Sequence, residues 1–365
     1  MINTPKYTDI VEWTISQINS KAFRPNDRFL SETELGEKFG FSRQTVRRAL
    51  EVLEQQGHIT RKQGRGTYIA DVRLRKASVL GGRSRTVGVI STYLDNYIFP
   101  SIVRSIEGVL SEAGFAVQLA STNNSVQIEA RALELMLDRQ VDGLIIVPTR
   151  SALPCLNLDL YNELIRHGIP IVFIDSYYSE LSVPYVALDD VRSGYMAAQH
   201  LLEMGHRDVL GIFSHINRQG HLRYLGYARA LAENGIPLRE ELVFWYSKES
   251  LQQQLLGGQL SQCLSRSTGA LCFNDHMALL LMDHLRKSGK SVPGDYSVVG
   301  IDNSEPANIS SLTSIVHPSR EVGEAAARQL LSIIQGAAGE NILFPPQLKI
   351  RSSVQKLSQG EVDRL

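Results

Sequence analysis

Two hydrophobic rhythms divide the chain. From Tyr7 to Leu53 apolar residues recur at three- and four-residue steps, the period of helices with one buried face. Tyr7, Ile10, Val11, Ile15 and Ile18 predict a first helix. "RPNDR" (24–28) reads as a loop from its Pro and Asn-Asp. "SETE" opens a second helix, with Ser31 as cap and Glu34 completing a capping box, and Gly40 stops it. Ser42 caps a third helix whose inward face is Val46, Ala49, Leu50 and Leu53. Next comes "GHITRKQGRGTYIA" (57–70): strand-like "HITRK", a glycine turn, then "TYIA". Gly64 and Gly66 permit a tight turn with Arg65 at its tip, so this stretch predicts a small basic hairpin.

From Arg85 the rhythm changes to short continuous apolar runs separated by amphipathic stretches. "TVGVIST", "AVQLAST", "DGLIIVP", "PIVFIDS", "DVLGIFS", "ALCFND" and "YSVVGID" are strand candidates, and Ile102, Ile106, Val109, Leu110 and Ala113 mark one of the helices between them. Unbroken apolar strands alternating with helices imply an α/β body with parallel sheets covered on both faces. Ligands of such folds sit at the carboxyl ends of the strands. Polar residues gather there: Asp95-Asn96-Tyr97, Thr149-Arg150, Asp175-Ser176, Asn274-Asp275 and Asp302-Asn303. The expected organisation is a winged helix-turn-helix over 1–71, a basic linker over 72–85 and an α/β domain over 86–356.

Charge sharpens this division. The 365 residues balance 38 Lys/Arg against 38 Asp/Glu, yet residues 1–76 hold 14 against 9 and residues 42–76 hold 9 against 3. A basic head on a mildly acidic body points to a polyanion-binding module joined to a domain of another kind. No apolar run approaches the roughly 20 residues of a membrane helix. "MINTPKYTDIVEW" lacks the basic start and apolar core of a signal peptide, and a soluble cytoplasmic chain is expected. Cys155, Cys263 and Cys272 lie far apart without metal spacing, as do the histidines, so no metal or other cofactor is expected. There is no P-loop, no GxSxG and no carboxylate spacing suggesting an acid–base pair, which argues against an enzyme.

The third predicted helix carries Arg43, Arg47 and Arg48 in its first two turns. Cations there oppose the helix dipole and need anionic partners. Arg43, Gln44 and Arg47 fall opposite the apolar face, at the end with which helix-turn-helix proteins read bases. Arg pairs bidentately with guanine and Gln with adenine. The stretch "LSETELGEKFGFSRQTVRRALEVLEQQGHITRKQGRGTYIA" resembles the winged helix of the GntR family of bacterial repressors. The resemblance implies DNA contacts at Thr33, Ser42, Arg43, Gln44, Thr45 and Arg47, and on the wing at Gln63, Gly64 and Arg65, whose basic tip would follow the backbone or minor groove.

The body carries a second resemblance. "DDVRSGYMAAQHLLEMGHRDVLGIF", "GYARALAENGI", "ALCFNDHMALLLMDHLRKSGKSVPGDYSVVGIDNSE" and "LTSIVHPSREVGEAAARQLL" are similar to the effector domain of LacI/GalR repressors. This implies two lobes joined by three crossovers, with a sugar in the cleft. Its motif positions are Asp175, Arg223, Asn274, Asp302 and His317, with Asp275 a helix cap. A GntR-type head on such a body resembles the arabinose-repressor group of Gram-positive bacteria. That implies a repressor that binds double-stranded operator DNA as a homodimer and is released by a monosaccharide, L-arabinose foremost. Another pentose, a hexose or a nucleoside-type ligand, or a transport component sharing the large domain, are the alternatives. The cleft residues implied are Tyr97, Phe99, Glu107, Arg150, Tyr177, Gln219, Arg223, Asn274, Asp302 and His317. Tyr97 and Phe99 would stack on sugar faces, while Glu107 reaches either the sugar or solvent. One departure stands in "GIDNS", where Asn303 occupies a position usually acidic in the related pattern.

Overall fold

The structure is a computed structural model that describes residues 7–19, 23, 27–55, 58–62, 66–69, 84–94, 98–247 and 258–357. The chain groups into two compact units, one of Met1–Ser84 with Asp159–Ile169, the other of Arg85–Leu158 with Pro170–Leu365. The predicted linker falls almost wholly outside the described residues.

The first unit opens with helices α1 (Tyr7–Asn19), α2 (Glu32–Phe39) and α3 (Arg43–Gln55), followed by antiparallel strands β1 (Ile59–Lys62) and β2 (Gly66–Ile69). The capping box forms as expected: the Glu34 amide donates to Ser31 Oγ, and the Ser31 amide to Glu34. Gly40 ends α2 at φ 67°, left-handed backbone that favours glycine. The Thr45 amide donates to Ser42 Oγ at 3.4 Å, capping α3. Ile10, Leu35, Val46, Ala49, Leu50, Leu53, Ile59 and Ile69 form the core. The predicted loop 24–28 does more than connect. Its last residues pair with β2, the Ile69 amide donating to Asp27 O at 2.9 Å and the Phe29 amide to Thr67 O at 2.8 Å.

The second unit holds two six-stranded sheets. The first lobe contains β3 (Thr86–Ser91), β4 (Ala116–Ser121), β5 (Gly143–Ile146), β6 (Ile171–Ile174), β7 (Tyr185–Leu188) and β13 (Ile342–Phe344). They lie in the order β13-β7-β6-β5-β3-β4 and are all parallel. The second lobe contains β8 (Val209–Ser214), β9 (Val243–Tyr246), β10 (Gly269–Cys272), β11 (Ser297–Asp302), β12 (Thr313–Val316) and β14 (Gln347–Lys349). Its order is β14-β12-β11-β10-β8-β9, with only β14 antiparallel. The described helices of this part of the chain are α4 (Phe99–Glu112), α5 (Val126–Asp138), α6 (Leu158–Arg166), α7 (Asp190–Glu203), α8 (Arg218–Glu233), α9 (Gly258–Ser265), α10 (Asp275–Lys287), α11 (Glu305–Ile309) and α12 (Ser319–Ile334).

All seven expected strands form. Apart from the edge strand β4, where Gln118 interrupts the run and Leu119 is exposed, their apolar runs are unbroken because both sheet faces are covered. On the second sheet, Leu210, Ile212 and Val298 pack with Leu260, Met277 and Leu281. Val209, Phe213 and Val299 pack on the other side with Leu201, Tyr227 and Leu231. The five strands β7, β9, β12, β13 and β14 were not among those expected. Each is only three or four residues long, and Ser314 interrupts the apolar run of β12. The chain passes between the sheets three times, after Leu188, Val316 and Phe344. Among the described residues no helix is long and apolar enough to cross a membrane.

Candidate functional site: a polar cleft and a basic helix

The carboxyl ends of strands from both lobes meet in a cluster of buried charge. Asp175 ends β6 in the first lobe, and His317 follows β12 in the second. His317 Nε2 lies 3.2 Å from Asp175 Oδ1, and neither side chain exceeds 8% exposure. Gln219 on α8 donates from Nε2 to Asp175 Oδ2 at 2.9 Å. Burial alone would strip His317 of its proton, but its bond to Asp175 and that carboxylate's charge raise its pKa above the ordinary value. Burial likewise pushes Asp175 up, but its bond to His317, the charges of His317 and Arg223 and the Gln219 hydrogen bond together outweigh this and hold its pKa below the usual carboxylate range.

A second pair lies alongside. Arg223 Nε donates to Asp190 Oδ1 at 2.7 Å, and Nη1 donates to the Phe273 carbonyl. Burial drives Asp190 up to about 6 against the opposing pull of Arg223. Two glycines permit this pairing. A Cβ on Gly194 would stand 2.0 Å from the Arg223 carbonyl, and one on Gly226 2.0 Å from that of Val191. Without them α7 and α8 could not approach closely enough to join Asp190 to Arg223.

Backbone strain collects at the same strand ends. Arg150, Asp175, Asp302 and Asn303 have φ of 48°, 66°, 119° and 51°. Such conformations in residues other than glycine cluster at functional sites. The Arg150 amide and Nε are held by Asn124 Oδ1 and O, at 2.9 and 3.3 Å. Asp302 is 7% exposed. A cavity of about 90 Å³ opens beside the cluster, lined by Asp175, Ser176, Tyr177, Asp190 and Leu222 among others. Of the expected contacts among the described residues, Asp175 and Tyr177 reach it.

Several expected residues stand differently. Phe99 is not an exposed aromatic: it is 4% exposed and packed with Ile102, Ile145 and Val172. Tyr177 has both ring faces covered. Tyr185 stacks on it at 4.1 Å between centroids, and the Arg218 guanidinium lies 4.2 Å from the ring, which leaves no face for a sugar. Asn274, rather than Asp275, caps α10, its Oδ1 accepting from the Met277 amide at 3.0 Å. Asp275 is instead fully buried, bonded to Ser304 N and Ser314 Oγ. Glu107 is exposed on α4, next to buried Ile106. Tyr97 lies outside the described residues.

The pattern reading missed Asp190, Ser151 and Arg218. Ser151 Oγ accepts from the Arg218 amide across the lobes at 3.0 Å. The "DDVRSG" motif held a signal for Asp190, whereas the partners of Ser151 and Arg218 are far away in sequence.

In the first unit, Thr33, Ser42, Arg43, Gln44 and Arg47 are exposed at the α2–α3 end, and Thr45 is half-buried. Arg43 and Arg47, 82% and 63% exposed, share one carboxylate, their Nε atoms 3.3 and 3.2 Å from Glu32 Oε2 and Oε1. Glu32 was not foreseen, and it supplies the anion that the helix N-terminus demanded. Gln63, Gly64 and Arg65 lie outside the described residues.

Comparison with known proteins decides the family. The chain is 38% identical over 361 residues to an arabinose metabolism transcriptional repressor of Halalkalibacterium halodurans, covering 95% of this chain and 96% of that one. The chain belongs to the arabinose metabolism transcriptional repressor family. A second member, from Geobacillus stearothermophilus, is 34% identical over 365 residues, covering 97% and 98% of the two chains. Residues 6–69 match the bacterial regulatory proteins of the gntR family, and residues 198–354 the periplasmic binding protein-like domain. The fold resembles a LacI family transcriptional regulator from Enterococcus faecium crystallised with bound ribose, with TM-score 0.63, 29% identity, and coverage of 75% of this chain and 100% of that one. Like its relatives, this arabinose metabolism repressor family member is a DNA-binding transcriptional repressor and not an enzyme.

Proposed function

We propose that the chain is a cytoplasmic homodimer that represses pentose-utilisation genes and leaves its operator when L-arabinose enters the cleft. The observation that carries the effector reading is the buried polar cluster joining the lobes. Gln219 Oε1 and Ser176 Oγ are buried there without a hydrogen-bond partner. Buried orphan atoms of this kind call for partners, which sugar hydroxyls supply. Arg223 and His317 are already matched by Asp190 and Asp175, so neither offers an unmatched charge to an anionic sugar. This favours a neutral monosaccharide, and the role of the relatives in arabinose metabolism favours arabinose. Arg150, Asp175, Gln219, Arg223, Asp302 and His317 are the proposed contacts. Asn274 would act through its Nδ2, and Tyr97 remains a candidate.

Arg43, Gln44 and Arg47 would choose sequence on DNA, while phosphates displace Glu32 from the arginines. The sugar can act only through differing affinity for the operator-competent and released arrangements. Calorimetric titration of the full chain with L-arabinose, D-xylose, D-ribose and D-galactose tests this. Selective, saturable binding of L-arabinose, with release from operator DNA at the same concentrations, is expected. Binding of another sugar alone would move the effector assignment to that sugar, and binding of none would overturn the cleft reading.

A further inference from the structure

The departure at Asn303 leads to a group of residues that the effector reading leaves unused. Asp302, at φ 119°, and Asn303, at φ 51°, form a strained turn at the end of β11. Three side chains, those of Ser314, Asp275 and Arg351, hold this turn from behind. The Asn303 amide donates to Ser314 Oγ at 3.0 Å, and Ser314 Oγ donates to Asp275 Oδ1 at 2.6 Å. Asp275 Oδ2 accepts from the Ser304 amide at 2.7 Å. Arg351 Nη2 donates to Asn303 Oδ1 at 2.6 Å, while Nη1 holds the Leu312 carbonyl at 2.6 Å. Asp275 and Ser314 are fully buried, and a Cβ on Gly300 would meet Asp275 Oδ1 at 2.3 Å, so the glycine makes room for the carboxylate.

We propose that Arg351 is a positioning residue for the effector: through Asn303, and together with the Asp275–Ser314 pair, it fixes the strained turn that aims Asp302 into the cleft. A strained turn persists only where its surroundings over-determine it. The planar guanidinium suits this role because two of its donors reach the side chain of one loop residue and the carbonyl at the start of the neighbouring strand. Asn303 gives the fork a neutral acceptor where the related pattern has a carboxylate, so a carboxylate there preserves the clamp. The inference rests on the reading that Asp302 contacts the sugar.

The test is titration of the full chain with L-arabinose, alongside operator affinity without sugar and thermal unfolding. Arg351→Met keeps the aliphatic stem and removes the fork, and its sugar affinity should fall at least about ten-fold with operator affinity unchanged. Asn303→Leu should fall similarly, the double variant should lose no more than either single one, and Asn303→Asp should bind like the native chain. Arg351→Met that melts lower yet binds sugar within two-fold of native overturns the positioning role and leaves only a structural one. Asp302→Asn separates the underlying reading. If it binds sugar like the native chain, both the reading and the inference fall. If it loses binding while Arg351→Met keeps it, only the inference falls.

Discussion

Replacing Asp175 by Asn tests the electrostatics of the cleft. The substitution preserves shape and removes one charge from a pair that spans the lobes. In the native chain His317 has a raised folded-state pKa, so its contribution to stability is complete below the ordinary value near 6.5 and disappears as pH rises through the folded value. Asp175, with its pKa depressed, is ionised throughout that window and loses its contribution only as pH falls through its own folded value. In Asp175→Asn a protonated His317 would be buried without its counter-charge. Breaking such a pair from one side costs about 3–5 kcal/mol. At high pH the neutral imidazole escapes this penalty. With Nδ1–H donating to Ser319 Oγ, 2.8 Å away, Nε2 can accept from the new amide. The loss should then shrink to that of an ordinary hydrogen bond, about 0.5–1.5 kcal/mol. The chain has two tryptophans. Trp245 packs against Phe213, Tyr224 and His221 in the second lobe, so in a Trp13→Phe background its emission reports that lobe alone. Urea unfolding at pH 5.5, 7.0 and 8.5 should give a difference between native and Asp175→Asn chains that falls steadily with pH. A difference constant across this range, or one below about 1 kcal/mol at pH 5.5, refutes the charged pair.

Two further outcomes follow from geometry. Arg47→Ala should lose about 1–3 kcal/mol of operator binding, measured by fluorescence anisotropy, with sugar affinity unchanged; equal operator binding would displace α3 as the reading helix. Gly226→Ala should force α7 from α8, since its Cβ would also meet the Tyr195 amide at 2.5 Å. A stability loss of about 1–3 kcal/mol is expected, accompanied by weakened sugar binding as Arg223 and Asp190 separate.

Sequence periodicity carries local facts, and those were legible. The caps at Ser31 and Ser42, the stop at Gly40 and the buried face Val46–Leu53 depend on residues within four positions of one another. The apolar runs of β3, β5, β6, β8, β10 and β11 likewise announced doubly covered sheets, because a strand buried on both faces has no polar positions to alternate. The strands β7, β9, β12, β13 and β14, three or four residues long, did not stand out from their flanking residues, and pairing with neighbours is what makes them strands.

What the fold alone decided is which side chains meet. Asp175 and His317 are 142 positions apart, Asp190 and Arg223 33 apart, and Asn303 and Arg351 48 apart. Family resemblance could place Asp175, Arg223 and His317 in a cleft, but not name the partners that fix their charge. Phe99 and Tyr177 show the same limit from the other side. An aromatic beside a strand end suits a sugar face or a core equally, and Ile145 and Val172 around Phe99, and Arg218 over Tyr177, come from distant segments. Glu32 marks the boundary: its place in "SETE" was plain, while its grip on Arg43 and Arg47 arises only when two helices cross. Short-range hydrogen bonding and hydrophobic period are written in neighbouring residues, whereas burial, charge pairing and strain arise from contacts that form only when the chain closes on itself.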